Sequence, residues 1–261
     1  MTRVVRAVGP WLVPLGVLAG WEAAGDLGWL SARVLPTPAD VVRAGARLIA
    51  SGELGRHLAA STRRAATGFL IGGGLGLILG LLTGTSRRAE RVLDTSLQML
   101  RTVPHLAVIP LVILWFGVGE GAKVFLVSLG VLFPVYLNTH HGFRTVDPGL
   151  VEMGRVYGLG RWGLFRRVLL PGALPAVLVG VRYALGVMWL TLIVAETIAA
   201  ASGIGYLAMN AREFLRTDVV VLTILVYAFL GKLADAAARL LERLLLPWHP
   251  AFARRPSGGA P

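Results

Sequence analysis

Residues 65–82 run for eighteen positions without a charge. Wound as an α-helix, that stretch would reach about 27 Å, close to the ~30 Å depth of a bilayer's hydrocarbon core. Further apolar runs recur at about 11–24, 102–119, 124–139, 175–195 and 219–246, separated by charged connections. This alternation predicts an all-α polytopic membrane protein of about six transmembrane helices, organised as a single domain over 1–261. Charge content agrees: 15% of residues are charged, against roughly 25% in an ordinary soluble domain. Pro104, Pro110 and Pro134 interrupt two of the runs. The backbone groups they release need partners from neighbouring helices or a water-lined cavity. Between the first two runs, Leu35-Pro36-Thr37-Pro38 reads as a turn and 39–49 as a short amphipathic helix.

A net charge of +12 raises the question of a nucleic-acid partner. The arginines lie between apolar runs, however, with no Lys/Arg tract and no interleaved aromatics, so none is expected. The chain has no cysteine, which excludes disulfides and thiolate chemistry. Arg3 and Arg6 before an apolar stretch imitate a signal peptide. No small-residue cleavage site closes that stretch, and a retained first helix is the expectation. Basic residues also set orientation. With the N-terminus inside, the cytoplasmic segments hold Arg3, Arg6, Arg87, Arg88, Arg91, five arginines between 144 and 167, and Arg239, Arg243, Arg254 and Arg255. That is fourteen against nine on the other side, five of the nine between 43 and 64. Six spans then leave both termini in the cytoplasm.

Gly68, Gly72, Gly76, Gly80 and Gly84 repeat at a spacing of four, so they share one helix face. Such a face permits close backbone approach by a partner helix; the alternative is a pathway lined by backbone. Arg182 and Glu196 fall in or beside one span, where an ionisable group suggests function. Fourteen residues separate them, about 21 Å along a helix, so they cannot pair within it. Glu196 is expected at the outer interface. Arg182 either snorkels, hydrogen-bonds to another helix, or serves an anionic substrate. His105, His140 and His141 lack the spacing of a metal motif. His105 is expected as a packed polar residue beside the pathway. Residues 117–123, GVGEGAK, lack the Gly-Lys and following Ser/Thr of a phosphate loop, so this chain is not expected to bind ATP or any other cofactor.

Residues 147–171, DPGLVEMGRVYGLGRWGLFRRVLLP, are more apolar than a solvent loop requires. Pro148 opens a helix to about residue 157, Gly158 and Gly160 break it, and a second short helix follows over 161–168, with Pro171 ending the unit. Two helices with apolar surface suit either an interfacial anchor or a docking element for a cytoplasmic protein.

At this segment the chain resembles the permeases of binding-protein-dependent ABC importers. The family pattern, a Glu-Ala-Ala stretch, a glycine six residues on and a later Leu-Pro, appears as Glu152-Met153-Gly154, Gly158 and Leu170-Pro171. Met153 and Gly154 stand where the pattern has alanines. The resemblance extends over LDTSLQMLRTVPHLAVIPLVILWFGVGEGAKVFLVSLG from Leu93, LPGALPAVLVGVRYALGVMWLTLIVAETIAA from Leu170, and SGIGYLAMNAREFLRTDVVV from Ser202. It points to the sulfonate, taurine and nitrate group, with aliphatic sulfonates foremost. That implies a permease fold with a cytoplasmic coupling loop in the bacterial inner membrane, and a second permease copy as homodimer partner. It also implies two cytoplasmic ATPase subunits that bind the ATP and a periplasmic solute-binding protein. Glu152, Gly158, Trp162, Leu170 and Pro171 would carry the coupling to the ATPase. The competing expectation is an ion-gradient-driven secondary transporter, which inverted repeats would favour; none is visible.

Overall fold

The computed structural model describes residues 2–31 and 33–248. Arg254 and Arg255, counted above for orientation, lie outside the described residues. The described chain forms eleven α-helices: α1 Thr2–Asp26, α2 Pro38–Ala50, α3 Glu53–Thr85, α4 Arg87–Thr102, α5 Ile109–Phe116, α6 Glu120–Arg144, α7 Pro148–Val156, α8 Arg161–Leu164, α9 Leu170–Ala199, α10 Ile204–Glu213 and α11 Thr217–Leu245. They fall into two compact units, Met1–Thr62 with Glu196–Phe229, and Arg63–Ala195 with Leu230–Pro261.

In the first unit the expected amphipathic helix is α2. Thr37 caps it reciprocally with Asp40, each accepting from the other's backbone N–H at 3.2 Å, and Pro38 needs no donor at that position. Ala44 and Leu48 of α2 pack with Leu207, Ala211 and Val219, and Arg47 pairs with Asp218 at 2.8 Å. The five arginines between 43 and 64, taken above as an outer connection, are therefore all helical: Arg43 and Arg47 lie in α2, and the other three in α3, which begins at Glu53, well before the apolar run.

The second unit is built on the glycine ladder. A methyl at Gly68 would meet the Val127 side chain at 2.6 Å, at Gly76 the Leu132 carbonyl at 2.5 Å, at Gly80 Thr139 at 2.6 Å and at Gly84 Phe143 at 2.8 Å. At Gly72 it would run into the Ser128 backbone. Both series ascend together, so α3 and α6 run parallel at backbone contact. Arg64 and Glu120 close the same seam at its start, two guanidinium nitrogens donating to the carboxylate at 2.6 Å. α9 runs antiparallel to α6: Gly142 abuts Ala173, Gly180 abuts Asn138, and Gly130 abuts Thr191. Val127, Val131 and Val135 form a core with Ala184, Met188 and Leu192.

Parallel α3 and α6 oblige the chain between Thr85 and Glu120 to return over the full depth of the seam. It does so in two pieces, α4 and α5, so the proline-interrupted span expected over 102–119 begins earlier, at Arg87. α4 descends first, with Glu90 paired to Arg144 and Asp94 accepting from Tyr136 Oη at 2.8 Å. A break at 103–108 contains Pro104, which restricts the residue before it. α5 then packs Ile109 and Val112 on Ala122 and Leu126 of α6. The pieces would measure about 24 and about 12 Å, together the depth of a bilayer. By length and composition four helical stretches among the described residues suit a membrane: Glu53–Thr85, Glu120–Arg144, Arg161–Ile198 and Thr217–Leu245. The count of six is not reached on that measure, because the third crossing is split and α1 falls outside it. GVGEGAK is the α5–α6 turn. Gly117 has φ +67, and Lys123 Nζ folds back on the Val118 and Gly119 carbonyls at 3.2 and 3.3 Å.

Candidate functional site

Three groupings carry the candidate residues, and the most strongly shaped is 147–171. Asp147 caps α7, its side chain accepting from Gly149 N at 2.8 Å. The helix start is thus satisfied by Asp147 and not by the carboxylate of Glu152. Glu152 lies one turn further on and is exposed. At the other end Gly158 N donates to Arg155 O at 2.9 Å and Leu159 N to Gly154 O at 3.0 Å. This is the Schellman closure, which needs a left-handed residue between the helices; Gly158 supplies it with φ +77. Gly154, where the family pattern has alanine, is buried, and a methyl there would meet Leu164 at 2.8 Å. The substitution lets α7 lie closer to α8 than an alanine would.

The second short helix does not stop at Pro171. α8 passes through a π-turn, Phe165–Leu169, into α9 without interruption, Leu170 N donating to Phe165 O. Pro171 has no N–H and its ring crowds the carbonyl four residues back; widening the register just ahead of it keeps the helix continuous. Leu170 and Pro171 thus open α9, and α8 and α9 form one continuous rod. Outward from this rod stand Val156, Tyr157 and Trp162, at 82%, 80% and 71% exposure. Trp162 stacks on Phe165 at 5.5 Å, and Phe165 on Phe143 of α6 at 6.1 Å. Beneath α7 a hollow of about 560 Å³ is lined by Met153, Tyr157, Pro171 and Trp248.

The second grouping surrounds Arg182, midway along α9. Its Nε and Nη2 donate to Asp235 Oδ1 of α11 at 2.9 and 2.8 Å. The other Asp235 oxygen faces Arg239, and Glu242 lies 3.8 Å from Arg182. Of the alternatives left open for Arg182, the geometry shows an interhelical pair, still 43% exposed on the arginine side.

The third grouping lies in the first unit around Glu196. Instead of reaching the interface, Glu196 is 1% exposed. Its oxygens accept from Ser61 Oγ at 2.8 Å, Gly205 N at 2.9 Å and Tyr227 Oη at 3.2 Å. Ile204 N donates to Ser61 Oγ and Gly203 N to His57 Nδ1. The carboxylate thus satisfies the start of α10, a favourable place for negative charge. Arg182 and Glu196 are not brought together. His105 lies in the 103–108 break, its Nε2 3.2 Å from Thr191 Oγ1. Asp235, Tyr136 and Asp94 were not singled out from sequence. Asp235 and Arg239, four apart in the last apolar run, were the available signal.

Residues 72–246 match the family described as binding-protein-dependent transport system inner membrane component. The chain is 66% identical over 245 residues to a protein of Escherichia coli (strain K12) provisionally named aliphatic sulfonates transport permease protein SsuC, covering 94% of this chain and 93% of that one. It is 51% identical over 241 residues to the protein of the same provisional name in Bacillus subtilis (strain 168), covering 92% and 87%. Among solved structures, the methionine ABC transporter MetNI in an inward-facing conformation is similar in fold, with TM-score 0.50 and 19% identity over 70% of this chain and 91% of that one.

Proposed function

Because the chain belongs to the inner membrane components of binding-protein-dependent transport systems, we propose that it is the permease of an ATP-driven importer of aliphatic sulfonates. Two copies form the pathway, each receiving one cytoplasmic ATPase subunit, and a periplasmic binding protein delivers the substrate. ATP is bound by the ATPase; this chain performs no covalent step. Both termini lie in the cytoplasm, on the side of residues 147–171. The observation that carries the substrate is the 66% identity maintained over 94% of the chain.

Residues 147–171 are the coupling element in this reading. Val156, Tyr157 and Trp162 offer the ATPase apolar contacts among the exposed Arg155, Arg161, Arg166 and Arg167, and exposed Glu152 meets a basic residue of it. The Schellman turn at Gly158 fixes the angle between α7 and α8. Because α8 continues into α9, closure of the two ATPases acts on the span directly, shifting the population between inward-open and outward-open states. The test is ATP hydrolysis by the reconstituted complex, titrated with binding protein loaded with alkanesulfonates or left empty. Stimulation by the alkanesulfonate-loaded form alone supports the reading; equal hydrolysis with loaded and empty protein rejects it.

A further inference from the structure

α9 and α11 run antiparallel within the second unit and leave a groove of about 510 Å³ between them. Its two ends differ. Arg182 and Asp235 stand at one; Val179, Tyr183, Val187 and Leu190 make the remaining wall apolar. Gly186 and Gly231 also line it, and a methyl built on either meets nothing within 4 Å. These glycines leave space open, unlike those of the α3 seam.

Arg182 lies seven residues into the apolar run that begins at 175, about 10 Å along the helix, level with Asp235, Arg239 and Glu242 towards the end of α11. Its ion pair is also partly exposed, at 43% for Arg182 and 31% for Asp235. Exposed charge within a span is costly against lipid, so the charged end of the groove borders water or protein. A cationic fork beside an apolar wall matches one ligand chemistry, a small anion carrying an alkyl chain. The guanidinium offers planar donors to an oxyanion head, and the wall removes methylenes from water. The volume lies within the range of small-molecule sites.

In the structure Asp235 occupies the guanidinium. It also faces Arg239 through its second oxygen. When an anion takes Arg182, Asp235 keeps a cationic partner, while Glu242, 3.8 Å from Arg182, is the second carboxylate with which the anion competes. Competition with a built-in counter-ion also keeps the site weak, as a transport pathway requires for release.

We propose that the α9–α11 groove is a low-affinity site for alkyl-chain anions, Arg182 taking the head group, the apolar wall the chain, and Asp235 acting as the counter-ion that the head group displaces. The proposal rests on the importer reading above and goes beyond it in placing the substrate. The full permease with its ATPase and binding protein is reconstituted in vesicles, and uptake of methanesulfonate and hexanesulfonate is compared. Gly231→Leu builds into the groove from a position where a Cβ meets nothing within 4 Å. It is expected to lower hexanesulfonate uptake at least about tenfold relative to methanesulfonate, since excluded methylenes cost that much or more. Asp235→Asn is expected to bind hexanesulfonate more tightly and release it more slowly. Because the chain has no cysteine, Gly231→Cys carries a single thiol in each copy. A water-soluble thiol reagent should label it, and hexanesulfonate should slow the labelling. Labelling only by lipid-soluble reagents, disulfide formation between copies without labelling, or an unchanged chain-length profile in Gly231→Leu would each overturn the groove proposal. Wild-type vesicles that take up neither sulfonate would instead remove the importer reading.

Discussion

The two sets of glycines in the second unit use the same residue for opposite ends. Along α3, Gly68 to Gly84 are glycine because the α6 backbone occupies the space where a Cβ would stand. Along the α9–α11 groove, Gly186 and Gly231 face emptiness. The charges follow suit. Arg64 on the seam is 2% exposed and held by Glu120, whereas Arg182 beside the groove is 43% exposed and shares Asp235 with Arg239. In lipid, where apolar helices gain little from burial against each other, close backbone packing is what holds a pair together. The seam is therefore the fixed part of the unit, and the groove is where a ligand or a movement is accommodated.

The largest expected effect falls on the seam. Gly72→Leu would force α3 away from the Ser128 backbone, beyond the roughly 1–3 kcal/mol of ordinary overpacking. Loss of assembled permease on size-exclusion chromatography checks it; normal assembly would mean the ladder is not the fixed contact. Next, Arg64→Gln should lower stability by about 2 kcal/mol. That is less than the 3–5 typical of a fully buried pair, because Glu120 is half exposed. Thermal unfolding in detergent measures it, and an unchanged midpoint would make the two arginines equivalent.

At residues 147–171 the effects are functional first. Gly158→Val places a β-branched residue at φ +77, costing about 1–2 kcal/mol, and should reduce binding-protein-stimulated ATP hydrolysis more than basal hydrolysis. Glu152→Lys should lower recovery of the ATPase on co-purification while leaving insertion intact. The smallest effect is expected at the groove. Gly186→Ala meets no atom and gains up to about 1 kcal/mol of helix propensity, so stability should be unchanged or slightly raised. A clear loss would show that the groove is as tightly filled as the seam.

How much of this was legible in the sequence follows from how local each determinant is. The spacing of Gly68 to Gly84 announces a close-packed face, yet a smooth face does not say which helix it receives; α6 was not identifiable. The Asp147–Pro148 start and the Gly158 break are local signals, and α7 and its turn were readable. Its continuity into α9 was not, because Pro171 reads as a stop until the π-turn ahead of it is seen. The start of the third crossing at Arg87 was missed because α4 carries Glu90 and Asp94. Their partners, Arg144 and Tyr136, lie 54 and 42 positions away. Glu196 was placed at the interface for the same reason: Ser61, which helps satisfy it, is 135 residues distant. Long-range polar pairing is what a reading of apolar runs cannot supply.

In the proposed function, ATP hydrolysed by a partner drives alkanesulfonate through this chain. The most direct measurement is uptake of labelled hexanesulfonate into vesicles containing the permease, its ATPase and its binding protein, with ATP on the ATPase side and no ion gradient. Accumulation that requires ATP, the ATPase and the binding protein together is the predicted result. Accumulation that proceeds without ATP and follows an imposed proton or sodium gradient would contradict it.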